Sequence, residues 1–263
     1  MAESFNVVQI SSPKKEQFRV YSTTRYLGFE TTSIKGKSNK VENRLRSNFR
    51  AKRRIQELLD INFADYFSLM TLTFKENIVD ISVANTTFTR FIKRLKRYLV
   101  KKGISSSDFK YLCVVEAQKR GAIHYHVVNN LPEPIMYLDI INIWNDTIYK
   151  NDSISIKGGS VHIDYSQNDT YLTDNMSRYL GKYLLKNEVN PIFLGKKMYF
   201  SSRNLKKPVR NNYYKKFNTL EEPDVIGFLE SDFSISLSGK KLFKKDVYYD
   251  KYSGEKILFL EYQ

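Results

Sequence analysis

The 263 residues carry 43 Lys and Arg against 28 Asp and Glu, a formal net charge of +15, and 41% of them are hydrophobic. A chain of this size and apolar content builds one large domain or a domain with an appendage, and its charge excess favours a polyanionic partner, nucleic acid ahead of a membrane surface. No apolar run approaches the roughly 18 residues that span a bilayer. Met1–Phe5 lacks the basic-then-apolar plan of a signal peptide, and the single cysteine, Cys113, excludes an intramolecular disulfide and a cysteine-based zinc site, so an intracellular protein is expected.

In chain order, Ser4–Ile10 and Gln17–Tyr26 read as strands. A helix is predicted from about Val41 to Asp60 over the apolar set Leu45, Phe49, Ile55, Leu58 and Leu59. It carries Arg44, Arg46, Arg50, Lys52, Arg53 and Arg54 with no acid among them, which suits a phosphate-gripping helix or a solvated basic face. Tyr66–Phe74 is a strand, expected to be central, with Thr71 and Thr73 on one face and Leu72 and Phe74 on the other. Phe88, Phe91, Ile92, Leu95, Tyr98 and Leu99 recur at helical spacing, with Asn85 or Thr86 as the N-cap and Gly103 as the stop. Arg90, Lys93, Arg94, Lys96 and Arg97 take the other face of that helix.

Tyr111–Val128 reads as two strands joined by Lys119, Arg120 and Gly121, which suit a type I turn closed by a left-handed glycine. Alternation puts His124 and His126 on one face and Tyr125 on the other. In the favoured register Glu116 lies opposite His124, although a bulge would shift the pairing. Two imidazoles and a carboxylate then converge from one hairpin, a donor set for a divalent cation with open positions. A His-x-His on a strand is otherwise an ordinary half-buried pair.

After Pro132-Glu133-Pro134 a helix is predicted from Ile135 to about Tyr149, with Ile140, Ile141, Ile143 and Trp144 inward. Gly158-Gly159 leads to a strand over Ser160–Tyr165, whose His162 and Asp164 share a face and offer an alternative metal ligand. A helix from Thr170 to Lys186 follows, capped by Asp169 or Thr170 and ended by Asn187 and Pro191. On it Tyr179 and Tyr183 are neighbours four apart, and Lys182 and Lys186 repeat the same step. A basic, aromatic tract covers Gly195–Pro208, and the remainder from about Asn211 looks like a small appendage ending in a hairpin around Tyr252–Glu255. The order β-α-β-β-α-β-α over 66–187 predicts an α+β fold with a ferredoxin-like split βαβ core: a central antiparallel sheet carries the His-x-His strand, and helices pack on it.

Three of these segments together resemble the HUH endonucleases, the rolling-circle replication initiators. Phe67–Phe74, with Met70-Thr71-Leu72-Thr73-Phe74, resembles their first motif, and His124-Tyr125-His126 resembles their His-hydrophobe-His motif. Tyr179-Leu180-Gly181-Lys182-Tyr183 resembles the two-tyrosine form found in replication proteins of phages and plasmids. The likeness covers roughly 41–210, with basic flanks at Arg50–Arg54 and Ser202–Pro208. It implies an N-terminal extension with a basic helix over 1–60, an endonuclease domain over 61–210 and an appendage over 211–263. It also implies metal-dependent nicking of single-stranded origin DNA: Tyr179 or Tyr183 attacks, a 5′-phosphotyrosine forms, and a 3′-OH is freed to prime synthesis.

Under the same resemblance His124, His126 and Glu116 hold Mn²⁺ or Mg²⁺, imidazole with carboxylate suiting Mn²⁺ better. Lys182 supports the phenolate or clamps a phosphate oxygen, and Lys186 joins Arg44, Arg46, Arg50, Lys52, Arg53 and Arg54 in gripping DNA. Gly36-Lys37-Ser38 lacks the preceding glycine of a phosphate-binding loop, so a host helicase, with a host polymerase, is expected as partner in a bacterial cytoplasm. Two alternatives stand beside this reading: a transposase of the same superfamily, and a non-catalytic nucleic-acid-binding protein of ferredoxin-like fold.

Overall fold

The computed structural model describes residues 3–27, 40–63, 66–131, 137–165, 176, 180, 191–193, 196–215, 217, 222–250 and 254–263, without the side chains of 3, 40–46, 49, 191, 222 and 223. The chain forms two compact units, 37–206 and the combination of 1–36 with 207–263.

Unit 37–206 begins with α1 (Lys40–Asn62) and continues through β3 (Ser68–Phe74), α2 (Ile81–Lys101), β4 (Tyr111–Ala117), β5 (Ile123–Asn129), α3 (Tyr137–Tyr149), β6 (Gly159–Tyr165) and β7 (Tyr199–Ser201). Its strands pair antiparallel throughout in the order β6-β3-β5-β4-β7. The first four positions of that order are the split βαβ arrangement, with β7 added at the β4 edge.

The alternation of these strands explains the layering. Met70, Leu72 and Phe74 point with Tyr125 to the face that receives α2 and α3. There Phe88 stacks on Tyr125 at 4.6 Å, and Trp144 lies 5.1 Å from Phe74 and 5.4 Å from Phe91. Trp144 also donates its Nε1–H to the Thr73 carbonyl at 2.9 Å. Gly159 permits this approach, because a Cβ there would collide with the Thr73 carbonyl and stand 2.5 Å from Trp144 Nε1. α1 adds Ile55, Leu58 and Leu59 to the same core.

The start of α2 differs from the expected Asn85 or Thr86. Asp80 is the cap, its carboxylate accepting from Ser82 N–H at 2.7 Å and Val83 N–H at 3.4 Å. The apolar pattern runs back through Ala84 to Ile81, both buried, so the helix gains a further turn of core packing. Gly103, with φ +78°, ends it as expected.

The other unit contains β1 (Glu3–Ser11), β2 (Glu16–Leu27), β8 (Val209–Tyr213), α4 (Glu222–Asp232), α5 (Ser234–Leu237), β9 (Leu242–Tyr249) and β10 (Lys256–Tyr262). Its antiparallel order is β8-β1-β2-β10-β9. Val7, Phe18, Val20, Leu258, Leu260 and Tyr262 pack with Val225, Leu229 and Leu237 of the two helices. The expected division at 60 and 210 therefore needs correction. The first 27 residues share a sheet with the C-terminal strands, while α1 belongs to the other unit. The predicted hairpin of β9 and β10 forms, with Gly254 at φ +68°. Among the described residues, no helix is long and apolar enough to cross a membrane.

Candidate active site

The β4–β5 turn takes the predicted form. Gly121 N–H donates to the Gln118 carbonyl at 2.8 Å, Gln118 N–H donates to the Ala122 carbonyl at 2.9 Å, and Gly121 adopts φ +85°. This closure fixes the register without a bulge: Glu116 stands opposite His124, and Val114 opposite His126. Thr71 lies opposite both His126 and His162, and Tyr199 opposite Val114. Residues directly paired across antiparallel strands share a face. His162, Thr71, His126, Val114 and Tyr199 therefore form one row across all five strands, on the face turned away from α2 and α3, with His124 and Glu116 in the next row.

On that face His126 Nε2 is 2.8 Å from Glu116 Oε2, and His126 Nδ1 is 3.3 Å from Thr71 Oγ1. A carboxylate only accepts, so Nε2 carries the proton of the first bond, and in the neutral ring Nδ1 accepts from the threonine hydroxyl. Both His126 and Glu116 are buried. A buried carboxylate is costly unless paired, and in low dielectric the imidazole partner makes a strong, charge-assisted bond. His124, half-buried on the same face, accepts at Nδ1 from Gln118 Nε2 at 3.1 Å.

Of the three expected metal donors the structure thus joins His126 to Glu116 directly and sets His124 on their face, turned to Gln118. Among the described residues, no group of three or more His, Cys, Asp or Glu side chains is arranged to hold a metal ion. The chemistry of the donor set nevertheless fits a small divalent cation. An imidazole nitrogen and a carboxylate oxygen share one proton at 2.8 Å, and neighbouring ligands of a six-coordinate ion with bonds of about 2.1 Å stand about 3 Å apart. His162 and Asp164 form the expected pair, 3.1 Å apart, but with side chains 73% and 56% exposed they make a surface contact of little weight.

Tyrosines near the site separate by environment. Tyr125 is part of the core: it donates its hydroxyl to Asn85 Oδ1 at 2.8 Å, and burial holds its phenol well above the usual value. Tyr111 is pushed up to about 12, first by burial and then by the neighbouring Cys113. Neither is suited to ionise as a nucleophile. The expected nucleophiles Tyr179 and Tyr183, with Lys182 and Lys186, lie outside the described residues. In the same stretch Met176 and Leu180, one helical turn apart, are helical and buried.

Of the expected DNA-binding residues, Arg50 and Arg53 are exposed on α1, while Lys52 and Arg54 are half-buried. Arg54 is drawn to the buried Glu57 at 3.7 Å. The side chains of Arg44 and Arg46 lie outside the described residues. On α2, Arg90, Lys93 and Arg97 are exposed, and Arg94 reaches Asp146 at 4.0 Å. Sequence reasoning misses Thr71 and Gln118 as the partners of the two histidines. Alternation places Thr71 on the correct strand face, and the register with β5 supplies the role.

Comparison with known proteins places this face in context. The family model of the replication-associated proteins of ORF2 type matches residues 67–188, a span that contains β3, the β4–β5 hairpin and the Tyr-x-x-Lys-Tyr segment. No curated protein and no solved structure matches the chain. The match supports a replication-associated protein with a role in initiation, and with it an interaction with DNA.

Proposed function

We propose that the chain is a rolling-circle replication initiator of the HUH type that nicks single-stranded origin DNA and transfers the strand through a tyrosyl intermediate. The observation that carries this reading is the buried His126–Glu116 pair, on the same face as His124 and inside the family-matched span. His124, His126 and Glu116 would hold a divalent cation, Mn²⁺ or Mg²⁺. When bound, such an ion polarises the scissile phosphate and lowers the cost of its developing charge by several kcal/mol. Thr71 orients the His126 ring, and the β4–β5 hairpin holds the donors on rigid strands.

A free phenol, with pKa near 10, is about one part in a thousand ionised at neutral pH, so Tyr179 or Tyr183 needs cationic support, the role of Lys182. In the step itself the tyrosyl oxygen loses its proton and bonds to phosphorus. The P–O3′ bond breaks, and the freed 3′ oxygen takes up a proton. One phosphodiester replaces another, so a later attack by a 3′-OH reseals the strand and restores the phenol. Arg44, Arg46, Arg50, Lys52, Arg53, Arg54 and Lys186 would grip the strand. A host helicase and polymerase in a bacterial cytoplasm complete the process.

Incubation with labelled single-stranded DNA and Mn²⁺ tests the proposal. A denaturant-resistant protein–DNA adduct that disappears with chelator is expected. Tight DNA binding with no adduct under any divalent ion would leave a non-catalytic binding protein instead.

A further inference from the structure

Among the described residues β7 is an edge strand, paired to β4 alone. Val115 N–H donates to the Met198 carbonyl and Ser202 N–H to the Tyr111 carbonyl, each at 2.9 Å. Met198 and Ser202 therefore turn backbone groups towards β4, and antiparallel alternation turns the N–H and C=O of Tyr199 and Ser201 outward. Beyond that edge lies a cavity of about 420 Å³, lined by Ser47, Asn48 and Ala51 of α1 and by Lys196–Ser201.

Four features of this cavity point to the same ligand. Asn48 is only 2% exposed, and its Nδ2 has no acceptor among the described residues. Lys196 and Lys197 are exposed, and Lys196 Nζ lies 3.3 Å from Ser82 Oγ. The half-buried Tyr199 presents its ring on the same sheet face as His126. Two strand spacings, about 10 Å in all, separate that tyrosine from His126, with the buried Val114 between them. Two cations, an aromatic ring and a buried amide without an acceptor make a set with no use for a purely apolar ligand. Together they match the phosphate, the π-face and the polar edge of a nucleotide.

We propose that this cavity holds one nucleotide of the single-stranded DNA beside the nicking site. Lys196 and Lys197 take a phosphate, Tyr199 stacks on the base, and Asn48 with the outward backbone groups meets the base edge. The assignment rests on the replication reading for its single strand and adds a base-holding subsite to it.

Binding is measured in chelator, where no cleavage occurs, with a fluorescent oligonucleotide and with the same sugar-phosphate chain lacking every base. Tyr199→Leu is expected to bind the normal strand roughly tenfold more weakly and the base-free chain as well as the unaltered protein does. Lys196→Gln/Lys197→Gln, both at exposed positions where folding is not at stake, should flatten the plot of log affinity against log salt by roughly 0.7 for each phosphate no longer neutralised. An unchanged slope in the lysine variant overturns the proposal. So does a Tyr199→Leu protein that treats both strands as the unaltered protein does. A deoxynucleoside monophosphate that competes as well as the oligonucleotide would assign the cavity to a free nucleotide and overturn the strand assignment. Failure to form a covalent adduct, with these binding differences intact, would sink the nicking reading and leave the subsite standing.

Discussion

The two faces of the β6-β3-β5-β4-β7 sheet are made from the same strands and serve opposite ends. On one, Tyr125, Phe74, Phe88 and Trp144 interlock, and the single polar tip of Tyr125 is satisfied by Asn85. On the other, His126 and Glu116 are buried against each other with Thr71 behind the ring. The difference arises within one tripeptide. In His124-Tyr125-His126 the period of two sends the phenol into the helix-packed core and both imidazoles to the far side. The apolar face supplies rigidity, and the polar face uses it to hold a donor set whose members would otherwise drift.

If that division is right, substitutions on the two faces should separate activity from stability. The largest expected effect is on the polar face. His124→Ala/His126→Ala should lose adduct formation by at least a thousandfold, on the order of 4 kcal/mol of transition-state stabilisation, while oligonucleotide affinity in fluorescence anisotropy stays close to normal because surface charge supplies it. Retained cleavage would place the chemistry elsewhere. On the helix-packed face Gly159→Ala forces a methyl group into the Thr73 carbonyl and Trp144. Denaturant unfolding should show a loss of more than about 2 kcal/mol, with adduct yield per folded molecule near normal. Tyr125→Phe is the mildest: it keeps the stack on Phe88 and removes one hydrogen bond to Asn85, for about 1 kcal/mol. A large loss of cleavage in this last variant, despite normal stability, would blur the distinction between the faces.

Much of this was legible in the residues, and the failures have physical causes. The hairpin register was readable because a strand's period is two and because Gly121 supplies the left-handed residue the turn demands. The split βαβ order followed from the succession of elements. The start of α2 was not, because the polar pair Asn85-Thr86 resembles a cap when Asn85 in fact serves Tyr125 and Asp80 caps the helix. Nor was the pairing of β1 with β8, or β2 with β10, since local propensity carries no information about partners some two hundred residues away. Thr71 sat on the right face without a role, because its partner His126 comes from a different strand.

The central claim is that a tyrosine of the Tyr179-Leu180-Gly181-Lys182-Tyr183 segment attacks DNA. Phenylalanine keeps the ring and removes only the attacking oxygen. With labelled single-stranded DNA and Mn²⁺, Tyr179→Phe and Tyr183→Phe should each retain some covalent adduct, and the double variant should form none. An adduct in the double variant would contradict the account.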